Sequence, residues 1–126
     1  MTDRYKKMQK RLKNGEFVVL DGGVGTELEK RGVSMDASWC GSASLNIEIL
    51  KQIHLDYIKS GAQIITANTY ASSRLMLEAA GLGDHFEEIN GNAIMAARIA
   101  REEFGDDDIL IAGSLSHRFP IADGDV

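Results

Sequence analysis

The fold of this chain is constrained most by three short, mainly apolar runs. Each of these runs stops at glycine or small polar residues. They are Phe17–Leu20, Ala62–Ala67 and Ile109–Ala112. Short apolar runs of this kind are typical of strands that are buried on both faces of a parallel sheet. Parallel strands need long crossover connections, which are usually helices. The runs therefore predict an α/β fold with three parallel strands.

The segments around these runs carry apolar residues at helical spacing, and most of them end at a glycine. This pattern predicts helices with a glycine just past their C-terminal ends. The expected helices are Asp3–Lys13, Thr26–Arg31, Asn46–Ser60, Arg74–Ala80 and Asp84–Phe104, and Val33–Ala43 is expected to form a loop. Asp84 is the candidate N-cap of the last helix. A three-stranded sheet has two open edges, so we expect further chain or a partner to cover them.

Composition narrows the class of protein. The chain has 126 residues and a formal net charge of −5, and 44% of its residues are hydrophobic, as in ordinary globular domains. The acidic balance argues against a nucleic-acid partner, and the basic residues of Asp3–Lys13 are interpreted as the solvated face of a helix. No apolar run has the length of a membrane span, and the charged N-terminus lacks the apolar stretch of a signal peptide. The single cysteine, Cys40, agrees with a reducing cytoplasm, which is the location we predict.

Small polar residues follow all three predicted strands. Asp21, Gly22 and Gly23 follow the first strand, Thr66 and Asn68 stand at the end of the second, and Ser114 follows the third. Ligands of parallel α/β proteins bind at the carboxyl ends of the strands. These six residues are therefore the candidate substrate-binding residues.

The turn that begins at Asp21 is the most informative local motif, because its glycines let a ligand approach the backbone. It is not a dinucleotide fingerprint, since Leu28 stands where the third glycine belongs, and no Gly-Lys-Ser/Thr follows as in a P-loop. Two interpretations of Asp21 stay open, a carboxylate that binds an ammonium group and a turn former at a strand end. For Asn68 the alternative to substrate binding is an Asx-type turn.

The histidines and the cysteine give no metal site by their spacing. His54 and His85 are interpreted as surface or capping residues, and His117 lies past the third predicted strand. Cys40 is interpreted as a packed thiol, because no partner histidine is identifiable. We therefore identify neither a metal ligand nor a catalytic residue in the chain.

Four stretches taken together resemble the homocysteine S-methyltransferase family. They are LDGGVGTELEKRGV at 20–33, WCGSASL from Trp39, IHLDYIKSGAQIITANTY at 53–70 and IAGSLS at 111–116. The resemblance implies a (β/α)8 TIM barrel, of which residues 1–126 would be a single partial domain at the N-terminal end. It also implies transfer of a methyl group from an onium-type or folate donor to the thiol of homocysteine, forming methionine, with a zinc ion on the homocysteine sulfur.

The resemblance also gives roles to individual residues. Asp21 and the Gly22–Gly23 backbone would bind the amino acid end of homocysteine, Thr66 would lie near the same substrate, and Asn68 and Ser114 stand at matching strand ends. Cys40 matches none of the family's zinc ligands, which come later in the barrel. We therefore expect this chain alone to bind no zinc and to be inactive. His117 stands where a proline is common in the family.

Two alternatives to a methyltransferase stay open at this point. The first is a non-catalytic binding or assembly module that associates through its open sheet edges, either with copies of itself or with a separate C-terminal part. The second is an unrelated doubly wound α/β domain that binds a phosphate at the turn 21–26. A monodisperse monomer would contradict the first, and tight binding of a phosphate ligand that is lost on changing Gly23 would favour the second.

Overall fold

A computed structural model of the chain describes residues 2–116. The helices are α1 Asp3–Lys13, α2 Val24–Lys30, α3 Ile47–Lys59, α4 Arg74–Ala79 and α5 Phe86–Phe104, the strands are β1 Ile64–Thr66 and β2 Leu110–Ala112, and 3₁₀ turns cover Gly41–Leu45 and Gly83–His85. All five predicted helices are confirmed, with ends that differ by at most two residues. The predicted loop Val33–Ala43 runs into the first 3₁₀ turn. None of the helices in this part of the chain is long and apolar enough to cross a membrane.

The sheet is parallel, as predicted, but only two of its members are regular strands. Strand β1 pairs with β2 in the register Ile64↔Leu110 to Thr66↔Ala112. On the other side of β1, a single parallel bridge joins Leu20 to Ile64. The order of the three segments across the sheet therefore follows their order in the chain, with β1 in the middle.

The prediction of a buried strand at Phe17–Leu20 is wrong. Phe17 is 93% exposed and Leu20 is 64% exposed, and the segment reaches β1 only through bonds such as Gln63 N–H to the Val19 carbonyl (2.8 Å) and Asp21 N–H to the Ile64 carbonyl (3.0 Å). Apolar side chains bury a strand only where other elements cover its faces, and within residues 2–116 none covers this edge. The segment is instead an exposed apolar edge.

The core lies between the sheet and helices α3 and α5. Ile65 of β1 is fully buried and packs in one cluster with Leu55 and Ile58 of α3 and with Ala97 and Ala100 of α5. The buried stripe of α5 consists largely of alanines, and such small side chains let two helices approach closely. The two helices thereby cover one face of the sheet and leave the strand ends accessible for a site.

The helix termini depend on the residues that flank them. Ser73 caps α4, because its hydroxyl accepts a bond from the Met76 N–H. The predicted N-cap at Asp84 is wrong, since Asp84 lies inside the second 3₁₀ turn and His85 precedes α5 without a side-chain cap bond. Gly105 ends α5 as predicted, with the left-handed φ of 84° that favours glycine.

Candidate functional site

A pocket of about 460 Å³ lies at the carboxyl ends of the strands. All six predicted substrate-binding residues line it, namely Asp21, Gly22, Gly23, Thr66, Asn68 and Ser114, together with Leu20, Val24, Gly25, Met35, Trp39, Ala67 and Tyr70. They come together because parallel strands carry their carboxyl ends to the same edge of the sheet. Their role in substrate binding stays a prediction.

Asp21 is fixed by the strand beside it. Its two carboxylate oxygens accept hydrogen bonds from the Thr66 N–H (2.7 Å) and the Thr66 hydroxyl (3.0 Å). The carboxylate thus closes the end of β1, as the turn-former interpretation expects. Each carboxylate oxygen can accept more than one bond, so Asp21 can also bind a donor in the pocket that it lines. The two interpretations of this residue are compatible.

Tyr57 of α3 supports the glycine turn. Its hydroxyl donates to the Gly23 carbonyl (3.0 Å). A Cβ added at Gly22 would lie only 2.7 Å from the Tyr57 hydroxyl oxygen, so the ring occupies space that glycine leaves open. Burial raises the pKa of Tyr57, and the negative charges of Glu27 and Asp21 raise it further. Sequence reasoning missed this role, because the tyrosine fits equally well in the apolar stripe of its helix.

The loop at Trp39 and Cys40 has an unfavourable backbone. Both residues have left-handed φ values, 53° and 67°, although neither is glycine. The Asn68 amide donates to the Cys40 carbonyl (2.9 Å) and to the Ser44 hydroxyl (3.3 Å). Asn68 therefore uses its amide N–H groups to hold this loop against the end of β1.

Asp36 organises the same loop from the other side. Its carboxylate accepts bonds from the Ser38 N–H (2.9 Å) and from the hydroxyls of Ser38 and Ser42. Burial alone would raise the pKa of Asp36, but the hydrogen bonds from Ser38 and Ser42 outweigh it, and the pKa lies below its usual value. The carboxylate is thus held in its charged form as a fixed acceptor.

Thr69 connects the ends of β1 and β2. Its hydroxyl donates to the Ser114 carbonyl (2.8 Å) and accepts from the Ser114 N–H (2.9 Å). Ser114 is therefore positioned at the pocket through its backbone. Thr69 is not one of the six candidate substrate-binding residues.

His54 is the main correction to the interpretation of the histidines. It was expected at the surface or at a cap, but its side chain is fully buried, and neither ring nitrogen has a hydrogen-bond partner among residues 2–116. Burial lowers its pKa to about 4, against the attraction of the Asp21 charge. Because His54 lies four residues after Leu50 and four before Ile58, helical periodicity alone places it on the buried stripe.

His85 and the cysteine need no such correction. His85 is exposed and its Nδ1 lies 2.9 Å from a Glu88 carboxylate oxygen, which confirms the surface interpretation. His117 lies outside the described residues. Cys40 is 1% exposed, which confirms the packed thiol. Burial raises the pKa of this thiol, and the charges of Asp36 and Glu29 add to the shift.

The described part of the chain does not fit a zinc ion. Among residues 2–116, no three histidine, cysteine, aspartate or glutamate side chains come together as a metal site. The one thiol, Cys40, is packed in the core and is held in its protonated form by burial. Within residues 2–116 the strand ends therefore carry a pocket and no grouping of metal ligands.

A family model, curated relatives and a solved structure that are similar to this chain are all described as methyltransferases. The model of the family described as homocysteine S-methyltransferase matches residues 18–122. The chain is similar to betaine–homocysteine S-methyltransferase 1 of Xenopus laevis, with 34% identity over 88% of the chain and 28% of that protein. It is also similar to a selenocysteine methyltransferase of Astragalus bisulcatus, with 33% identity over 87% of the chain and 39% of that protein.

A solved structure shows the same likeness in three dimensions. The metallated form of the homocysteine methyltransferase MmuM from Escherichia coli superposes with a TM-score of 0.71 and 31% identity over 79% of the chain and 38% of that structure. The chain thus spans roughly a third of the length of the proteins that it matches.

Proposed function

The chain belongs to the homocysteine S-methyltransferase family, and on that premise we propose that it supplies the site for the amino acid end of homocysteine. In the whole family protein, the substrate bound at this site would accept a methyl group on its thiol. The observation that carries the proposal is the Asp21 carboxylate, which lines the pocket at the strand ends. Thr66 holds this carboxylate in place with two hydrogen bonds. A fixed carboxylate is suited to bind the ammonium group of an amino acid.

The glycine turn completes the binding site for the amino acid. Gly22 and Gly23 are exposed beside Asp21, so a ligand can approach their backbone closely. Tyr57 keeps the turn in place from below through its bond to the Gly23 carbonyl. In this arrangement Asp21 binds and orients the substrate amine, and Thr66 and Tyr57 act on the substrate only by positioning the groups that touch it.

The aromatic lining of the pocket supports an onium compound as the methyl donor. Trp39 and Tyr70 both line the pocket and are 37% and 48% exposed. Aromatic faces attract cations, and sulfonium and quaternary ammonium groups are methyl donors of this kind. Methylated folate is the other donor class that the resemblance implies, and it has no positive charge for these rings to attract.

The proposed reaction is a direct displacement at the donor methyl group. A lone pair of the homocysteine sulfur forms the new carbon–sulfur bond, and the thiol proton is released to solvent. The methyl group leaves the donor heteroatom, which keeps the bonding electrons and becomes neutral. Loss of the positive charge weakens the attraction to Trp39 and Tyr70 and so favours release of the demethylated donor.

Zinc is predicted for the whole family protein, and we do not expect the residues described here to bind it. The family's zinc would favour the thiolate form of homocysteine. Since the described residues do not fit that ion, no step of this proposal passes through it. We expect the 126-residue chain to bind homocysteine without transferring a methyl group, and its cytoplasmic location stays a prediction.

The exposed edge at residues 17–20 supports the assembly module as a second candidate function. Phe17, Val19 and Leu20 are all exposed apolar residues next to the outer side of β1. An unpaired apolar edge is a template for association with another chain. This edge also agrees with the expected homo-oligomer or complex with a C-terminal part, and it does not conflict with substrate binding at the strand ends.

The test of the proposal is the recognition of the substrate amine, which NMR titration of the chain can follow even when binding is weak. Homocysteine is compared with 4-sulfanylbutanoate, which has the same thiol and carboxylate but no amine. We expect homocysteine alone to shift the resonances of residues 21–23 and 66, and Asp21→Asn to abolish this preference. Asp108→Asn, the same change at an exposed carboxylate before β2, is the matched control. Equal binding of the two ligands would refute the proposal.

A further inference from the structure

Two consecutive residues with left-handed backbone, neither of them glycine, lie beside the pocket, and the first of them lines it. Trp39 and Cys40 have φ values of 53° and 67°, and Trp39 lines the pocket. Residues with a Cβ rarely adopt this backbone, and two in a row persist only where surrounding contacts hold them. Strained backbone of this kind is concentrated at functional sites. The contacts that hold this turn are therefore candidates for a functional role.

Hydrogen bonds hold the turn on both sides. Before it, the Asp36 carboxylate collects the Ser38 N–H and the hydroxyls of Ser38 and Ser42. The Ser38 hydroxyl in turn accepts from the Ser42 N–H (2.9 Å), which ties the residues before the turn to those after it. Asp36 therefore fixes the two ends of the turn relative to each other.

Asn68 fixes the turn relative to the sheet. Asn68 follows β1, and its side-chain amide donates a hydrogen bond of 2.9 Å to the carbonyl oxygen of Cys40, the second residue of the strained pair. The Cys40 side chain packs beside Leu28 and Leu50 in the core, so the residue next to Trp39 is anchored through both its backbone and its side chain. Trp39 lines the pocket and is 37% exposed.

We propose that Asp36 and Asn68 are positioning residues that set the orientation of the Trp39 ring in the wall of the pocket. Through this orientation they set the preference of the pocket for a cationic ligand. The ligand class in this statement rests on the proposed function, whereas the positioning of Trp39 does not. Asn68 thus acts on the ligand through the Trp39–Cys40 turn. Its sequence position alone had indicated direct contact with substrate.

The first arm of the test needs no ligand, because Trp39 is the only tryptophan of the chain. Its fluorescence emission maximum and its quenching by acrylamide are measured for the wild-type chain and for Asn68→Ala, Asn68→Asp and Asp36→Asn. Asn68→Asp keeps the shape of the side chain but removes the donor. We expect a shift of the emission maximum and a changed quenching constant in the two Asn68 variants, and a smaller change in Asp36→Asn, which keeps one acceptor oxygen.

Asn90→Ala is the matched control for a merely structural effect. The Asn90 amide also joins two backbone carbonyls, those of Ser72 and Phe86 (2.8 and 2.9 Å), but it lies outside the turn. We expect this variant to lose stability without a change in Trp39 fluorescence while it is folded. Unchanged fluorescence in folded Asn68→Asp and Asp36→Asn would overturn the proposal.

The second arm follows Trp39 fluorescence during titration with glycine betaine and with 3,3-dimethylbutanoate, its isostere in which carbon replaces the cationic nitrogen. We expect the wild-type chain to prefer betaine and Asn68→Ala, which adds no charge to the pocket, to lose that preference, with betaine binding weakened about tenfold. A preference for betaine that survives in Asn68→Ala would overturn the link between the turn and specificity. Equal binding of both probes to the wild-type chain would overturn the proposal that the methyl donor is an onium compound, and with it the link between Trp39 and ligand specificity. The fluorescence measurements without ligand would still decide whether Asp36 and Asn68 position Trp39.

Discussion

Acidification should destabilise this protein through His54 before it affects the carboxylates. The imidazole is fully buried, and both ring nitrogens lack hydrogen-bond partners among residues 2–116. Burial lowers its pKa in the folded chain from 6.5 to about 4. The unfolded chain therefore binds more protons than the folded chain between these two values, and stability falls as the pH falls through this window.

The size of the effect follows from the two pKa values. With 6.5 in the unfolded chain and about 4 in the folded chain, the free energy of unfolding drops by about 2 kcal/mol between pH 8 and pH 5 and by about 3 kcal/mol once the pH is below both values. The lowered pKa values of Asp36, Asp56 and Glu27 also cost stability in acid, but only below their usual values of 3.8 to 4.5. The interval from pH 7 to pH 5 therefore isolates the histidine.

Urea denaturation at pH 8, 7, 6 and 5 measures this dependence, with His54→Leu as the test variant and His85→Gln as the control. We expect His54→Leu to be at least as stable as the wild type at pH 8, because it removes two unsatisfied buried nitrogens, and to show no slope down to pH 5. His85 is exposed, so its replacement should leave the slope intact. A flat profile for the wild type, or an unchanged slope in His54→Leu, would show that His54 does not cause the loss of stability in acid.

Three further predictions concern the pocket and the open edge. Gly22→Ala places a methyl group 2.7 Å from the Tyr57 hydroxyl oxygen, so it should lower the free energy of unfolding in urea denaturation by about 1–3 kcal/mol. Tyr57→Phe should recover part of that loss. Equal stability of Gly22→Ala and the wild type would contradict the close packing of Gly22 and Tyr57. Thr69→Val removes both bonds to the Ser114 backbone, so it should lower the free energy of unfolding by about 1 kcal/mol and speed hydrogen exchange of the Ser114 amide. Unchanged exchange would disprove the connection between Thr69 and Ser114. Phe17→Lys should shift any self-association seen by sedimentation velocity toward the monomer, whereas an unaffected oligomer would place the interface elsewhere.

Local sequence patterns were sufficient for the helices and for the convergence of the strand ends. The helical spacing of α3 and α5 gives their extents within two residues, because a buried stripe needs a fixed period. The polar residues after the apolar runs meet at one pocket, since parallel strands end at the same edge. The apolar pattern of 17–20 misled because burial of a strand depends on what covers it, and the local pattern does not contain that information.

The features that sequence reasoning missed depend on contacts between distant residues. The left-handed backbone of Trp39 and Cys40 has no local preference behind it, and Asn68 holds it from 28 residues away. The support of the glycine turn by Tyr57 spans 34 residues. His54 is different, because its place on the buried stripe of α3 was available from the periodicity and was not used.

Methyl transfer by a longer version of the chain, one that carries the family's later cysteines, is the direct test of the proposed function. Homocysteine is supplied with S-methylmethionine or glycine betaine, and methionine formation is measured for the wild type and for Asp21→Asn. We predict methionine formation from an onium donor, and a KM for homocysteine that rises in Asp21→Asn while the KM for the donor stays close to its wild-type value. No methionine from any onium donor would contradict the proposed methyl donor, and unchanged homocysteine kinetics in Asp21→Asn would contradict the proposed role of Asp21.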